Sequence, residues 1–482
     1  MAYTSDNDKL FLSDAQHEQT AIRAARAKVL ADRGAPIQLP SKPISVRVRS
    51  PAAPGGPREA EAWIAESRFV VRRVGLESGK TLQVYRGHTG PVTSIDWYAV
   101  PAAGGAKKRE VLISGSWDKS FKIWDVQSKA LLSTTVGHLD FVKAVHVIPS
   151  LGVLVTASSD KDIRIWDLAP LDALDIASLA TGVDVEADTV PPPPPRQGAA
   201  PPPAMPLRPL PCLLALKAHT RPVEVLASHP LLHPLPDGVA DDEVEVSLRE
   251  RTGRIALVSA DSMGALKVWE LWREAGELKG HLRCEVRQHE GGIYDLALSP
   301  EGEMWTASVD NSVLLAQVSL TSASIAPVPL LRIPHPAQVR SVLPLASVFR
   351  DSPYLATGSS DELFRLIDLS SSAALDPNPA REAKREWRGI PLAANVAVEG
   401  CTREVEAHTH EVVQLCGYTS SEGERWLLSA SLDNTLRRWR WPEVLTQEMD
   451  KVLVVKEVEE QSKESLLTEE EERELAELMG DD

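Results

Sequence analysis

The stretch GSWDKSFKIWD, Gly115–Asp125, decides how this sequence is interpreted. It places one Trp-Asp pair in front of a short apolar run and a second pair at the end of that run. The run is rich in aromatic and β-branched residues, which is typical of a β-strand. The first pair would then lie in the turn before the strand. Whether such pairs are catalytic or architectural depends on how often they recur.

Six stretches of the chain share this pattern of a Ser/Thr-containing run, a turn and a second apolar run. They read LISGSWDKSFKIWD, LVTASSDKDIRIWD, LVSADSMGALKVWE, MWTASVDNSVLLAQ, YLATGSSDELFRLID and LLSASLDNTLRRWR. A pair ending in His precedes each copy: Gly87-His88, Gly137-His138, Ala218-His219, Gln288-His289, Pro334-His335 and Ala407-His408. A weaker copy precedes these six and is counted as the first of seven. It reads ISVRVRS, EAWIAES, FVVRRVGL and KTLQVYRG. Such recurrence predicts an array of structural repeats and not a single site.

These repeats resemble the WD-repeat family over residues 43–441. The resemblance implies an all-β fold, a seven-bladed β-propeller of four-stranded antiparallel blades. It also implies a hydrogen-bonded relay of His, Ser or Thr, Asp and Trp inside a blade. Three copies carry the full relay set: His88, Ser114, Asp118 and Trp124; His138, Thr156, Asp160 and Trp166; His408, Ser429, Asp433 and Trp439.

The other copies depart from the relay pattern. The fifth has Ala316 and the sixth Ile367 at the Trp position. In the fourth, Met263 stands where the Asp is expected, because Asp261 comes two residues earlier. We therefore predict incomplete relays in these three copies. A Ser/His/Asp set is also the composition of a hydrolase triad, but its repetition and the lack of a G-x-S-x-G sequence favour the architectural interpretation.

The chain divides into three predicted parts: an N-terminal extension (1–42), the propeller (43–457) and an acidic tail (458–482). Three insertions lengthen the repeats: a Pro-rich segment (190–211) and two polar segments (233–254 and 370–402). The outer strand of the last blade has two candidates. We favour Lys451–Glu457 over a closure by ISVRVRS near residue 45, which would also remove an exposed edge.

Short helices are predicted in both extensions. Ser13 with Gln16 forms a capping box that opens a helix over 14–33, with Ile22, Ala25 and Val29 on one stripe, and we expect it to pack on the propeller rim. Thr468 with Glu471 opens a second helix, whose apolar residues are Leu475, Leu478 and Met479. That face is either a ligand for a partner groove or part of a solvated tail.

Charge and cysteine content exclude several classes of function. The formal charge is −16, and Glu443–Asp482 alone carries fifteen acidic and four basic residues. No basic excess favours direct nucleic-acid binding. The four cysteines are widely spaced and predict neither a disulfide framework nor a zinc site. With no signal or membrane-spanning segment in the sequence, we expect a cytoplasmic or nuclear protein without metal or cofactor.

The resemblance favours a non-catalytic protein–protein interaction scaffold that organises an intracellular complex through its propeller faces. Candidate partner-binding residues lie in the turns and loops: Trp117, Phe141, Arg221, Arg340 and His410. One alternative is a substrate receptor of a ubiquitin ligase, although no F-box-like region precedes the repeats. A less favoured one is a propeller enzyme with a site in the central channel.

The Pro-rich segment 191–211 contains P-x-x-P-x-R. A polyproline helix of this kind could dock in the groove of a Src-homology or WW-type domain. A solvated spacer is the alternative.

Overall fold

Nearly every described element is a β-strand, and most of the strands contain apolar runs with β-branched residues. The computed structural model describes residues 23–51, 59–101, 109–172, 209–217, 219–234, 249–319, 321, 326–350, 352–370 and 401–446. Within these residues the chain forms seven antiparallel sheets of four strands. The predicted all-β, seven-bladed propeller is confirmed.

The first three blades each use four consecutive strands, numbered from the central channel outward. Blade 1 contains β2 (Pro43–Arg49), β3 (Glu61–Glu66), β4 (Val70–Gly75) and β5 (Thr81–Arg86). Blade 2 contains β6 (Val92–Val100), β7 (Arg109–Ser116), β8 (Ser120–Asp125) and β9 (Leu131–Val136). Blade 3 contains β10 (Val142–Ile148), β11 (Val153–Ser158), β12 (Ile163–Asp167) and β13 (Cys212–Leu216).

Blades 4 to 6 repeat this arrangement. Blade 4 contains β14 (Val223–Leu232), β15 (Arg251–Asp261), β16 (Ala265–Glu274) and β17 (Glu277–Arg287). Blade 5 contains β18 (Ile293–Leu298), β19 (Glu303–Ser308), β20 (Ser312–Gln317) and β21 (Val328–Pro334). Blade 6 contains β22 (Val339–Pro344), β23 (Tyr354–Ser359), β24 (Leu363–Asp368) and β25 (Cys401–Glu406). The first strand of each blade contacts the first strand of the next.

Blade 7 closes the ring with strands from both ends of the chain. It contains β26 (Val412–Thr419), β27 (Arg425–Ser431), β28 (Thr435–Arg440) and, outermost, β1 (Pro36–Gln38). Our preference for Lys451–Glu457 as the outer strand was wrong, because β1 pairs with β28 from Pro36↔Arg437 to Gln38↔Thr435. Residues 451–457 lie outside the described part. The alternative was also misplaced, since ISVRVRS forms β2 at the channel, and the propeller therefore starts before residue 43.

Helices contribute little to the described structure. Residues 23–29 form α1, Ala169–Asp172 form α2, and Glu443–Thr446 form α3. The first part of the predicted helix 14–33 and the whole of the helix predicted from Thr468 lie outside the described residues. The predicted apolar stripe of α1 was wrong at Val29, which is 54% exposed, whereas Leu30 is buried. Because α1 ends at Val29, the turn that follows it, and not the helical stripe, decides that Leu30 faces the propeller.

The predicted insertions fall largely outside the described residues. The second ends inside β15, and the third ends inside β25. At the end of the Pro-rich segment, Leu210 is buried and its backbone N–H donates to Thr135 Oγ1 at 3.1 Å. The segment therefore rejoins blade 3 before β13 begins.

The core consists of layers between neighbouring blades. In one layer, Val111 and Ile113 of blade 2 pack with Val145 and Leu154 of blade 3. Each fully buried side chain of this size stabilises the fold by about 1.5–3 kcal/mol. Apolar packing therefore contributes much of the contact between adjacent blades.

One conformational rule aligns all seven blades. The turn between the second and third strands passes through the left-handed region at a single residue, with φ between 60° and 81°. These residues are Phe69, Lys119, Lys161, Gly264, Asn311, Glu362 and Asn434. Because the strands are antiparallel, these turns and the loops between blades lie on the same side of the propeller, which we call the turn face.

Candidate functional site

Blade 3 shows the relay in its full form. His138 Nδ1 donates to Asp160 Oδ2 at 2.9 Å, and His138 Nε2 accepts from Thr156 Oγ1 at 2.7 Å. The Thr156 oxygen in turn accepts from the Trp166 indole N–H at 2.8 Å. Because an ionised carboxylate can only accept, the His proton resides on Nδ1. Every polar atom in the chain of contacts is therefore satisfied.

Asp160 also connects two backbone segments. The N–H groups of Leu139 and Asp162 donate to its two oxygens at 2.9 and 3.0 Å. Leu139 belongs to the loop entering the blade, and Asp162 to the turn inside it. The carboxylate therefore fixes the loop and the turn to each other.

The glycine before the His has a packing role. A Cβ atom on Gly137 would lie 2.1 Å from the Trp166 ring. The Gly-His pair of the repeat thus leaves room for the indole that completes the relay.

Blades 2 and 7 contain the same four-residue network. The distances in blade 2 are His88–Asp118 2.7 Å, His88–Ser114 2.8 Å and Trp124–Ser114 2.9 Å. Those in blade 7 are His408–Asp433 3.0 Å, His408–Ser429 2.8 Å and Trp439–Ser429 2.9 Å. The structure therefore brings together all twelve residues of the three predicted sets.

Hydrogen bonds and burial shift the pKa values of several relay residues and so fix their protonation states. Burial alone would raise the pKa of Asp433, but hydrogen bonds from His408 and Thr435 lower it to about 2. Donors that outweigh burial also lower the pKa of Asp118 and Asp160. Burial lowers the pKa of His408, although Asp433 opposes this effect. At neutral pH the blade 7 relay is a carboxylate bound to a neutral imidazole.

The prediction of an incomplete relay in the fourth copy was wrong. His219 Nδ1 donates to Asp261 Oδ2 at 3.2 Å, His219 Nε2 accepts from Ser259 Oγ at 2.8 Å, and Trp269 donates to Ser259 at 3.0 Å. Asp261 is the last residue of β15, two positions before Met263. Residues two apart on an extended chain point to the same side. The earlier carboxylate therefore reaches the same His, and blade 4 has a complete relay.

Blade 5 keeps the polar part of the relay. His289 contacts Asp310 at 2.9 Å and Thr306 at 2.8 Å. Ala316, at the Trp position, supplies no indole donor.

Blade 6 is rewired. His335 Nε2 contacts Thr357 Oγ1 at 2.9 Å, but its Nδ1 contacts the Ile333 carbonyl at 3.2 Å. Asp361 instead accepts from the Arg365 guanidinium at 2.7 Å. The relay predicted to be incomplete here lacks both the indole and the His–Asp contact.

Blade 1 replaces the relay with a buried ion pair. Glu66 accepts from Arg72 and from the Ser41 hydroxyl, and all three side chains are buried. The carboxylate stands at the end of β3, the same strand position as Asp261 in blade 4. A different residue pair therefore performs the same tie between loop and turn.

The relays do not have the access that a hydrolase needs. Ser114 is completely buried, and its hydroxyl oxygen already accepts from Trp124. A substrate carbonyl cannot reach that oxygen without opening the blade. The geometry of blade 2 thus serves packing within the blade.

A second polar system surrounds the central channel, and sequence reasoning missed it. In five places a side chain on the first strand of one blade accepts from a backbone N–H on the first strand of the next blade. The pairs are Ser94 and Val145 N (3.2 Å), Asp96 and Val147 N (2.8 Å), Asp295 and Val342 N (3.0 Å), Ser341 and Leu415 N (3.1 Å), and Gln414 and Val46 N (3.1 Å). The innermost strand is a sheet edge, so these side chains satisfy groups that no strand pairs.

One group in the channel has the composition of a catalytic triad. His146 Nε2 lies 2.8 Å from Ser228 Oγ, and His146 Nδ1 lies 3.7 Å from Asp96 Oδ2. The second distance exceeds a hydrogen bond, and Asp96 Oδ2 already accepts from Val147 N. The group therefore joins blades 2, 3 and 4. Asp96 is the fifth residue of β6 and His146 is the fifth residue of β10. An alignment of the first strands could therefore have revealed this group from the sequence.

The turn face carries an exposed apolar patch between blades 2 and 3. The rings of Trp117 and Phe141 stack with centroids 5.0 Å apart and planes 18° apart. Trp117 is 41% exposed, Phe141 37% and the neighbouring Leu139 78%. We call these three residues the aromatic patch. Two of the five candidate partner-binding residues thus come together, although 24 positions separate Trp117 and Phe141 in the sequence.

The other three candidates lie elsewhere on the turn face. Arg221 is exposed at the start of blade 4. Arg340 is half-buried, bound to Glu411 at 2.7 Å and stacked over the Tyr294 ring at 4.0 Å. His410 Nδ1 accepts from the Glu411 backbone N–H at 2.8 Å. Arg340 and His410 therefore make contacts within the propeller.

The N-terminal segment covers the turn face at blades 6 and 7. Arg23 and Arg26 of α1 form ion pairs with Glu362 in the blade 6 turn. Arg437 of blade 7 donates to the backbone carbonyls of Leu30 and Arg33. The rim packing predicted for this helix is replaced by packing on the turn face. The aromatic patch lies on the opposite part of the turn face, which no described residue of the N-terminal segment covers.

The part of the chain that the structure describes also bears on metal binding and membrane spanning. There, no group of three or more His, Cys, Asp or Glu side chains is arranged to hold a metal ion. No helix among the described residues has the length and apolar character to cross a membrane.

Seven four-stranded blades, five of them with a His–Asp contact, form a β-propeller of the kind that WD repeats build. The family model described as WD domain, G-beta repeat matches residues 79–125, 129–167, 277–315 and 399–440. Four stretches of the chain thus match the WD repeat, and each runs from the last strand of one blade to the third strand of the next.

Two curated proteins show different extents of similarity. An uncharacterized WD repeat-containing protein of Schizosaccharomyces pombe is 22% identical over 380 residues, which cover 78% of this chain and 74% of that protein. The peroxisomal targeting signal 2 receptor of Mus musculus is 39% identical over 57 residues, only 12% of this chain and 16% of the receptor. The first similarity spans most of both chains, and the second is confined to a short segment.

Proposed function

We propose that this protein is a non-catalytic intracellular scaffold that organises a multiprotein complex, with the aromatic patch as its docking point. WD propellers generally act in protein interaction. The observation that carries the proposal is the stacked, exposed Trp117–Phe141 pair. Trp is over-represented among binding hot spots, and a rigid stacked pair loses little side-chain entropy on binding.

The position of the patch supports the same proposal. The N-terminal segment covers the turn face at blades 6 and 7, whereas Trp117, Leu139 and Phe141 stay exposed. The relays of blades 2 and 3 hold the loops that carry these residues, because Asp118 and Asp160 bind the backbone N–H groups of Thr89 and Leu139. A partner would therefore meet a preorganised surface.

The experiment compares complexes isolated with wild-type protein and with a Trp117→Ala/Phe141→Ala variant from cells of the source organism. We expect a stoichiometric partner with the wild type and its loss with the variant. The matched control is Val328→Ser/Leu330→Ser, which removes two exposed apolar residues from the outer strand β21 of blade 5. Equal recovery of partners by all three proteins would contradict the proposal.

The finer alternatives remain predictions from the sequence. They are the ubiquitin-ligase receptor, the channel enzyme and the polyproline ligand at 191–211. Residues 191–208 lie outside the described part, so docking by that segment needs its own binding assay.

A further inference from the structure

We propose that the aromatic patch binds an acidic protein segment with one aromatic or large aliphatic side chain at its centre. This inference rests on the proposed scaffold function and specifies the chemistry of the partner. It follows from what surrounds the patch, namely three exposed cations and carboxylates that are already engaged.

The apolar centre fits one inserted side chain. Trp117 and Phe141 present stacked rings, and Leu139 stands beside Phe141 in the same loop. Phe141 is fixed at both ends: its N–H donates to Asp140 Oδ1 at 2.8 Å and its carbonyl accepts from Ser159 N at 2.9 Å. The backbone N–H of Trp117 donates to the Pro91 carbonyl at 3.0 Å. Both rings are therefore held by backbone contacts with neighbouring loops.

Two exposed cations border this centre, and a third lies in the next loop round the ring. Lys119 is two residues after Trp117 in the same turn, and its φ of 67° belongs to the tight bend. Lys161 occupies the corresponding position in the blade 3 turn, which Ser159 joins to Phe141. Arg221 lies in the next loop round the ring, before Pro222. Among the described residues, none of these three cations forms an ion pair, so their charges are available to a ligand.

The carboxylates of the same region are occupied. Asp140 accepts from the Phe141 backbone, and Asp162 pairs with Arg164 at 3.4 Å. Glu224 pairs with Lys143 at 3.2 Å. The carboxylates of Asp118 and Asp160 face their relay histidines. Asp118 and Asp160 lie inside their blades, with only 9% and 6% of their side chains exposed, whereas Lys119, Lys161 and Arg221 are exposed to a ligand, and this difference in access favours an acidic partner.

On the other half of the turn face, several cations are already paired within the chain. Its exposed or turn-borne charges include Glu290, Glu362 and Glu411. Two of these already hold cations of this chain, since Glu362 binds Arg23 and Arg26, and Glu411 binds Arg340. Arg23, Arg26 and Arg340 are therefore engaged, whereas Lys119, Lys161 and Arg221 form no ion pair among the described residues.

The apolar and charged parts should act on different steps of binding. An aromatic anchor at the centre of an interface governs dissociation, whereas charges at its border govern association and salt dependence. A ligand of the proposed kind would thus lose residence time without Trp117 and Phe141. It would lose association rate without Lys119, Lys161 and Arg221.

A phage-displayed library of random peptides, panned on the full-length protein, tests the proposal. We expect selected peptides to be rich in Asp and Glu around a Phe, Trp, Tyr, Leu or Met. Their affinity should fall about tenfold or more with Trp117→Ala/Phe141→Ala, through faster dissociation. With Lys119→Glu/Lys161→Glu/Arg221→Glu, association should slow and selection should shift toward Lys- and Arg-rich peptides.

The matched control reverses three exposed cations away from the patch, in Lys80→Glu/Lys129→Glu/Arg251→Glu. It changes the net charge equally and should leave selection unchanged. Melting temperatures of all variants verify folding. Neutral or basic peptides selected by the wild type, or an equal effect of the control, would overturn the acidic preference while leaving the docking patch intact.

Two further results bear on the occupant. Binders that do not depend on Trp117 and Phe141 would overturn both this inference and the proposed function. A synthetic peptide of residues 463–482, which carries the acidic Leu- and Met-containing tail, serves as a second probe. Displacement of the selected peptides by this tail peptide would show that the chain's own tail fits the patch, and would overturn the assignment to a separate partner.

Discussion

Blades 3 and 6 have the same His, Thr and Asp at the same positions, yet only blade 3 forms the relay. The difference is the residue after the His. In blade 3 the Leu139 N–H donates to Asp160, as the corresponding N–H groups do in blades 2, 5 and 7. In blade 6 this residue is Pro336, which has no N–H. Asp361 lacks that donor and accepts from Arg365 instead, so blade 6 loses both the backbone contact and the His–Asp contact that blade 3 has.

The largest expected effect comes from removing the carboxylate in blade 3. Asp160→Ala leaves His138 Nδ1 and two backbone N–H groups without their acceptor. We expect a loss of about 3 kcal/mol in the free energy of unfolding. Chemical denaturation monitored by Trp fluorescence measures it.

The control for this prediction is the same change in blade 6. Asp361→Ala should cost about 1 kcal/mol or less, because Asp361 is partly exposed and Arg365 keeps Glu404 as a partner at 2.9 Å. Equal losses in the two variants would show that the relay contributes nothing beyond a surface ion pair.

The rewired His335 should make blade 6 sensitive to acid. Burial lowers its pKa from 6.5 to about 4. The unfolded chain therefore binds a proton in a pH range where folded His335 does not, and stability falls as pH falls from about 6.5 to about 4. A shift of this size corresponds to a loss on the order of 3 kcal/mol across that range.

Denaturation curves at several pH values test this expectation against His335→Asn. The variant should show a shallower pH dependence, because the other buried histidines remain in both proteins. Parallel pH profiles for the two proteins would refute the role of His335.

A smaller loss than that of Asp160→Ala is expected at the displaced carboxylate of blade 4. Asp261→Ala should lower the free energy of unfolding by about 2 kcal/mol, because His219 and the turn N–H groups lose their acceptor. Met263→Ala should change it by less than about 0.5 kcal/mol, since the Met263 side chain is exposed and only its backbone takes part. Thermal unfolding of both variants measures the difference. A larger effect of the Met263 change would mean that Asp261 does not replace the usual turn residue.

The sequence predicts the fold well because its signal is repeated. Alternating apolar residues and the His, Asp and Trp spacing occur in several copies, and each copy folds by the same local rules. Pro336 shows that even the defect in blade 6 can be inferred from sequence, once the backbone donor at that position is recognised.

Other features depend on contacts between distant residues. Asp261 forms a relay from an unexpected position because a strand places alternate residues on one side. The three residues of β1 carry too little pattern to identify a strand until β28 pairs with them. Trp117 and Phe141 were singled out separately, but their stacking depends on the order of blades around the ring.

The closure of blade 7 by β1 has a consequence for how the protein is made. Pro36 pairs with Arg437, so the first of the described strands to leave the ribosome pairs with the last of them. At the usual speed of translation this wait is on the order of a minute. Until then β1 has no partner strand, and its unpaired backbone groups are able to pair with other chains. A ribosome that stops before β28 releases a chain whose N-terminal strand has nothing to join.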